Sequence, residues 1–547
     1  MEMHFATVWE AIADSIGDKT ALVHGDARYT WTEYDTNAAR IATALSEAGL
    51  KPDSKTALYL YNGPEYLTAQ FASFKTRGVP INVNYRYLDD ELHYILDNAD
   101  AEALFFHDAL ADRVARLLEH NPTPLKLLVQ VPDTPGAPLE NPLPQAIPYA
   151  DLLANHDPAP RITRSEDDVY MLYTGGTTGM PKGVMYNIGA FCGYQSTALY
   201  PAYKVEAGGP ENIVTAARTM HERGKPMVSI PACPLMHGTG MWLGVMMAHG
   251  LGATVVTLPS RSFDADELWQ TVQREKATFL IIVGDAFAKP LIRALETAKA
   301  QGNPYDTSSV IAIQSSGVMW TEEVKRQLLE WDDFVLNDSM GASEGGVGLQ
   351  VTKRSNVNDR AKTAKFRRLP NTKVFTEDGR EVVPGSGEIG LVAAGGNVPI
   401  GYYKDPKKSA ATFKVIDGKR YSFPGDWAKV EANGTLVLLG RGSQCINTGG
   451  EKVYPEEVEE AIKRHPSVRD CLVVGLPDEK FGNRVTALAS LEDGATTVSD
   501  DIRSVLDGAL ARFKHPKNIH IVDHVHRAPN GKADYPWAKE TALDREK

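Results

Sequence analysis

At 547 residues the chain exceeds the size at which one hydrophobic core keeps growing, so two or more domains with a large buried interior are expected. With 43% hydrophobic and 23% charged residues it is neither fibrous, collagen-like nor largely disordered. A formal charge of -12 argues against the broad basic face that a nucleic-acid binder needs, so an anionic ligand is expected to be held by a local site.

The start, Met1-Glu2-Met3-His4-Phe5, lacks the profile of a secretion signal, and no apolar run reaches bilayer-spanning length. A soluble protein without a transmembrane segment is expected. Cys192, Cys233, Cys445 and Cys471 are too widely spaced for a zinc knuckle or a disulfide framework, which fits a reducing cytoplasm.

Short apolar runs alternate with longer amphipathic stretches, the pattern of an α/β fold. Strands are predicted over Lys55 to Tyr61, Val169 to Tyr173, Thr278 to Val283 and Val310 to Ile313, and Pro122 to Pro160 reads as an irregular, proline-rich surface excursion. Three of the strands run into small or polar clusters: Thr174-Gly175-Gly176, Gly284-Asp285 and Gln314-Ser315-Ser316-Gly317. Ligands of α/β sheets collect beyond the carboxyl ends of strands, so these clusters are candidates for one site. Past the small, polar Gly440-Arg441-Gly442-Ser443 the texture changes to a compact α+β unit. A helix starts at Pro455 with acidic residues leading and Lys463 and Arg464 trailing, as the helix dipole favours. Strands over Asp470 to Leu476 and Arg484 to Ser490, a helix over Ser499 to Arg512 and a strand over Asn518 to Asp523 follow.

The chemistry concentrates in Tyr173-Thr174-Gly175-Gly176-Thr177-Thr178-Gly179-Met180-Pro181-Lys182-Gly183. Glycines let backbone N–H groups close around an anion, threonine hydroxyls donate further, and Lys182 supplies charge, which makes a phosphate-holding loop. The P-loop of GTPases is excluded because Gly183, not Ser or Thr, follows the lysine. A polar hairpin turn is the competing reading, and a poor account of so long a run of such residues after an apolar strand.

This loop resembles the signature of the adenylate-forming superfamily, which includes acyl-CoA synthetases, luciferases and the adenylation domains of peptide synthetases. Further segments match in order along nearly the whole chain. Asp338-Ser339-Met340-Gly341-Ala342-Ser343-Glu344 resembles the family's Tyr-Gly-x-Thr-Glu, with Met340 where the adenine-stacking tyrosine belongs. Tyr421-Ser422-Phe423-Pro424-Gly425-Asp426 resembles its Thr-Gly-Asp, Gly440-Arg441-Gly442-Ser443 its hinge, and Arg527-Ala528-Pro529-Asn530-Gly531-Lys532 its catalytic lysine segment. His237 and Ser315-Ser316-Gly317 match weaker family segments near the acyl site.

The resemblance implies an N-terminal AMP-binding domain of several subdomains, 1–441, and a small mobile α+β domain, 442–547. It implies that ATP contacts Thr174, Gly175, Gly176, Thr177, Thr178, Lys182, Ser316, Gly317, Asp338, Ser339, Met340 and Ser343. Asp426 would take the ribose diol, Arg441 the ribose or phosphate, and Gly450 would belong to the loop presented to the thiol. Glu344 and Thr178 would be the magnesium-linked oxygens, oxygen donors being what that hard cation takes, and Lys532, His237 and Glu344 the catalytic set. The activity implied is activation of a carboxylic acid as acyl-AMP and transfer to coenzyme A. The resemblance runs strongest to bacterial synthetases of fatty and steroid side-chain acids. Met236, Met241, Trp242, Phe287 and Met340 are the apolar candidates for the acid's pocket. A carrier-protein thiol or an amine as acceptor, or a non-catalytic ATP-binding paralogue, are the alternatives. The expected partners are small molecules, with a homo-oligomer compatible.

Overall fold

The structure is a computed structural model that describes residues 1–546 apart from 121–123, 177–178, 207, 319, 358–364, 449–450, 479–480, 508 and 529–530. Its spine is a thirteen-stranded sheet. Thr20–His24, Thr254–Thr257, Val228–Pro231, Phe279–Ile282, Ala312–Ser316 and Val335–Ala342 run parallel through its middle. Beyond Val335–Ala342 the sheet turns antiparallel, through Gly345–Thr352, Lys365–Arg368, Thr435–Arg441, Asp426–Val430, Ile389–Ala393 and Lys373–Phe375. A separate five-stranded parallel sheet contains Lys55–Tyr59 at its second position. A smaller three-stranded sheet pairs the hairpin Val169–Gly176 and Gly179–Asn187 with Gly401–Tyr402.

Parallel strands buried on both faces are written as unbroken apolar runs, and Phe279–Ile282 is buried at every position. The main core is aromatic: Trp9, Trp31, Tyr34, Phe71 and Phe74 are all at or near 0% exposure. Each such side chain contributes on the order of 1.5–3 kcal/mol of apolar burial.

The last part of the chain has its own interior. Ile446, Val453, Val458, Ile462, Val473 and Val485 form one cluster, and Leu472, Leu488, Val522 and Ala538 another. These lie on the two sides of a three-stranded sheet made of Val468–Asp478, Gly482–Leu491 and Asn518–Ile521. The helix Pro455–Lys463 opens on its proline, with Glu456 and Glu457 in the first turn and Lys463 in the last, as the sequence dictates.

Two expectations are corrected. The stretch Pro122 to Pro160 is not wholly irregular: it supplies the strands Leu127–Val131 and Ile147–Pro148 and the helix Tyr149–Asn155, because its apolar residues pair onto the five-stranded sheet. The helix expected over Ser499 to Arg512 ends at Ser504, and a short 3-10 turn, Arg512–Lys514, follows.

Candidate active site

The parallel strands of the main sheet end together, and their carboxyl ends build one side of the site. Ala312–Ser316 delivers Ser316, whose hydroxyl donates to Ser339 O at 2.9 Å on the neighbouring strand, while Gln314 Nε2 donates to Ser339 Oγ at 2.6 Å. Gly317 follows at φ +91, a backbone state open to glycine, and a Cβ there would sit 3.6 Å from Thr239 Oγ1. Thr239 begins a helix wound wider than α, the π-helical Thr239–Met246, directly after His237-Gly238. Such helices are rare and recur at functional sites.

The glycine-rich segment is the tip of a β-hairpin, with Thr174 opposite Lys182 and Gly176 opposite Gly179. The hairpin reading set aside at the sequence level is therefore correct as geometry. Thr177 and Thr178 lie outside the described residues. The Lys182 ammonium stands 5.7 Å from the centre of the Tyr402 ring, within range of a cation–π contact.

Glu344 is held from several directions. Its backbone oxygen accepts from Ser422 Oγ at 2.7 Å, the Ser343 oxygen before it accepts from Tyr186 OH at 2.8 Å, and its Oε1 accepts from Tyr402 OH at 2.6 Å. Asp426 and Arg441 are cross-strand neighbours, and the Gly442 N–H donates to Gly425 O at 3.0 Å, so the segments expected to take the ribose and to form the hinge are laced together. Ser443 lies within the 3-10 turn Gly442–Gln444. Gly450 lies outside the described residues.

Two residues sit differently from a simple ligand contact. Asp338 is buried in an ion pair with Lys325 Nζ at 3.2 Å, itself 1% exposed. Burial pushes its carboxyl up to about 6, against the pull of that ammonium. The thioether of Met340, 8% exposed, packs with Val347, Phe366, Val374 and Leu436 in the core of the antiparallel part of the sheet. Alternation along Val335–Ala342 turns both residues to the buried face.

The C-terminal unit closes the site. Gly531, at φ +73, is pressed against the main domain: a Cβ on it would lie 3.1 Å from Val283 Cγ1 and 3.2 Å from Val318 Cγ2. Lys532, next in the chain, is near enough to His237 to act on its charge. Burial pushes His237 down to about 3, with Lys532 adding in the same direction, so the imidazole is neutral at physiological pH. Its shielded Nε2 has no hydrogen-bond partner among the described residues. The lysine loop is braced from behind by Arg527, which donates to Asp470 Oδ1 at 2.8 Å and to Gly531 O at 3.1 Å. Burial alone would raise Asp470, but Lys463 and Arg527 hold its carboxyl well below the usual range.

Sequence reasoning did not find Tyr402, Tyr186 or Ser422 as supports of Glu344, nor the seat of the lysine loop on Val283 and Val318. The supports come from three separate strands and lack a local signature. The seat does follow a visible signal, the apolar strand ends before Gly284 and after Gly317.

Among the described residues no three or more His, Cys, Asp or Glu side chains converge as a metal cage. A single carboxylate suits magnesium, which keeps several waters and is bound through one or two carboxylates plus substrate phosphates. Glu344 therefore fits that ion. Among the described residues no helix is long and apolar enough to cross a membrane.

Residues 9–403 match the AMP-binding enzyme family and residues 457–532 the AMP-binding enzyme C-terminal domain. A 3-oxocholest-4-en-26-oate–CoA ligase of Rhodococcus rhodochrous is 38% identical over 99% of this chain and 96% of its own. A medium/long-chain-fatty-acid–CoA/3-oxocholest-4-en-26-oate–CoA ligase of Mycobacterium tuberculosis is also 38% identical, over 98% and 96%. The crystal structure of ATP-bound MatB from Rhodopseudomonas palustris superimposes with a TM-score of 0.80 at 25% identity, covering 100% of both chains. With the ordered segments, the two-part architecture and these full-length likenesses, the chain belongs to the family of AMP-binding enzymes.

Proposed function

We propose that the protein is an ATP-dependent acid–thiol ligase of the cytoplasm. It activates a fatty or steroid side-chain acid as acyl-AMP and transfers the acyl group to coenzyme A, releasing AMP and pyrophosphate. The observation that carries this reading is the seating of Gly531, the residue before Lys532, on Val283 and Val318 of the large domain, with the Lys532 charge felt at the buried neutral His237. Mere nucleotide binding does not require a lysine delivered from a second domain. The acid class rests on the full-length relatives that act on such acids.

In the first half-reaction the substrate carboxylate forms a bond to the α-phosphorus of ATP as the bond to pyrophosphate breaks. The protein's work is positioning and charge. The hairpin tip around Gly176 and Gly179, with Lys182, holds phosphate oxygens, and Asp426 with Arg441 takes the ribose. Lys532 offsets the negative charge that accumulates when two anions are pressed together. His237, neutral, offers a hydrogen bond to the acid without adding charge. Magnesium, when bound at Glu344, neutralises phosphate charge. In the second half-reaction the thiol sulfur of coenzyme A attacks the acyl carbon and AMP leaves. For this, Lys532 withdraws as the small domain turns about the segment near Ser443, bringing the loop that contains Gly450 to the thiol.

Incubation with ATP, magnesium, coenzyme A and a panel of fatty, steroid and aryl acids tests the reading by mass spectrometry. The expected result is a thioester from fatty or steroid acids, with stoichiometric AMP. ADP as product, or thioester from none of the acids, would contradict it.

A further inference from the structure

The carboxylate that faces the metal needs a defined orientation, and one side chain supplies it. Tyr402 lies on the two-residue strand Gly401–Tyr402, which pairs with the second strand of the glycine-loop hairpin so that Tyr402 stands opposite Val184. Its backbone N–H donates to Ser409 Oγ at 2.8 Å, and its ring, 6% exposed, packs on Phe413 with centres 5.2 Å apart. The ring is therefore held by strand pairing, the Ser409 hydrogen bond and tilted packing on Phe413, independently of its hydroxyl. From that fixed ring the hydroxyl donates to Glu344 Oε1 at 2.6 Å, and the Lys182 ammonium lies 5.7 Å from the ring centre. One aromatic thus touches both the cation of the anion-holding hairpin and the carboxylate across from it.

We propose that Tyr402 is a positioning residue for metal binding: its hydroxyl occupies Oε1 of Glu344 and so presents Oε2 to the divalent cation that accompanies ATP. The proposal rests on Glu344 being the metal-linked carboxylate. A short hydrogen bond to an ionised oxygen is among the stronger ones a protein makes, and it removes the rotational freedom of the carboxylate. Partners that orient a ligating group are worth roughly 10–100-fold in metal affinity. The backbone clamps on Ser343 O and Glu344 O fix the chain at this point but leave the carboxylate torsions free, and the Tyr402 bond restrains them.

The test uses the full chain with Mn2+ as probe and α,β-methylene-ATP, which resists the in-line displacement, in place of ATP. Free Mn2+ is read by electron paramagnetic resonance. Tyr402→Phe keeps the ring, its packing on Phe413 and its contact with Lys182, and is expected to weaken Mn2+ binding to the enzyme–nucleotide complex about tenfold. Nucleotide affinity without metal, and thioester formation from a supplied acyl-adenylate, stay within twofold of the wild type and show that the fold is intact. Glu344→Gln run in parallel separates the two layers. Mn2+ binding that weakens in Glu344→Gln but not in Tyr402→Phe overturns the role of Tyr402. Binding unchanged in both overturns the metal reading of Glu344 and the proposal with it. A loss of metal-free nucleotide affinity in Tyr402→Phe equal to the loss with Mn2+ would make Tyr402 an ATP contact, and overturn the proposal as well.

Discussion

In the proposed reaction Lys532 acts by its charge and His237 by having none, and each makes a prediction. An ordinary histidine gains its proton as pH falls below about 6.5. His237, held to about 3 by burial and by Lys532, stays neutral across the range where the enzyme works. The ratio of wild-type to His237→Gln adenylation rates is therefore expected to be constant from pH 8 to pH 5.5. A ratio that falls tenfold below pH 6.5 would show that His237 takes up a proton there. For Lys532, removal of a preorganised charge from a transition state costs on the order of 100- to 1,000-fold. Lys532→Ala is expected to lose that much in acyl-adenylate formation, while thioester formation from supplied acyl-adenylate changes less than threefold. Equal loss in both half-reactions, measured by stopped assays of each, would make the lysine structural.

At the scale of elements, the helix Gly284–Ala300 is the rail on which the small domain docks. Val283 just before it and Ala286 in its first turn face Gly531, and further along Lys289 Nζ donates to Arg469 O at 2.9 Å. Lys289 and Arg293 also lie 3.9 and 3.6 Å from the carboxylate of Glu492. These pairs are partly exposed, and each such pair is worth about 0.2–1 kcal/mol. Glu492→Lys should accordingly lower adenylation roughly two- to fivefold and leave the second half-reaction unchanged or faster, because only the docked arrangement uses those pairs. The apolar seat is stricter. Gly531→Ala places a methyl on a positive-φ residue against two valines, a cost of about 1 kcal/mol or more to the docked state, and adenylation is expected to fall roughly fivefold or more. Wild-type rates in Gly531→Ala would show that this contact is dispensable. The register of the glycine-loop hairpin runs within its own strands and to Gly401–Tyr402.

Across the whole molecule, the sequence revealed what is written locally and missed what is assembled from a distance. The strand at Phe279–Ile282 and the proline-led helix Pro455–Lys463 are each encoded by adjacent residues, and each lies where reading predicts an element. The outcome differs where tertiary packing decides. Asp338 and Met340 stand in a motif that reads as a nucleotide contact, yet strand alternation turns both to the buried face, one onto Lys325 and the other into an apolar cluster. Tyr402 carries no local mark of its role because its partner Glu344 belongs to a different segment. The proposed border at 441/442 falls just before the separate core that begins at Ile446, and the closing of that unit over the large one is the central claim. Acid-dependent exchange of labelled pyrophosphate into ATP, without coenzyme A, tests it most directly. The account predicts exchange with fatty or steroid acids that is lost in Lys532→Ala. Measurable ATP binding with no exchange for any acid would contradict it.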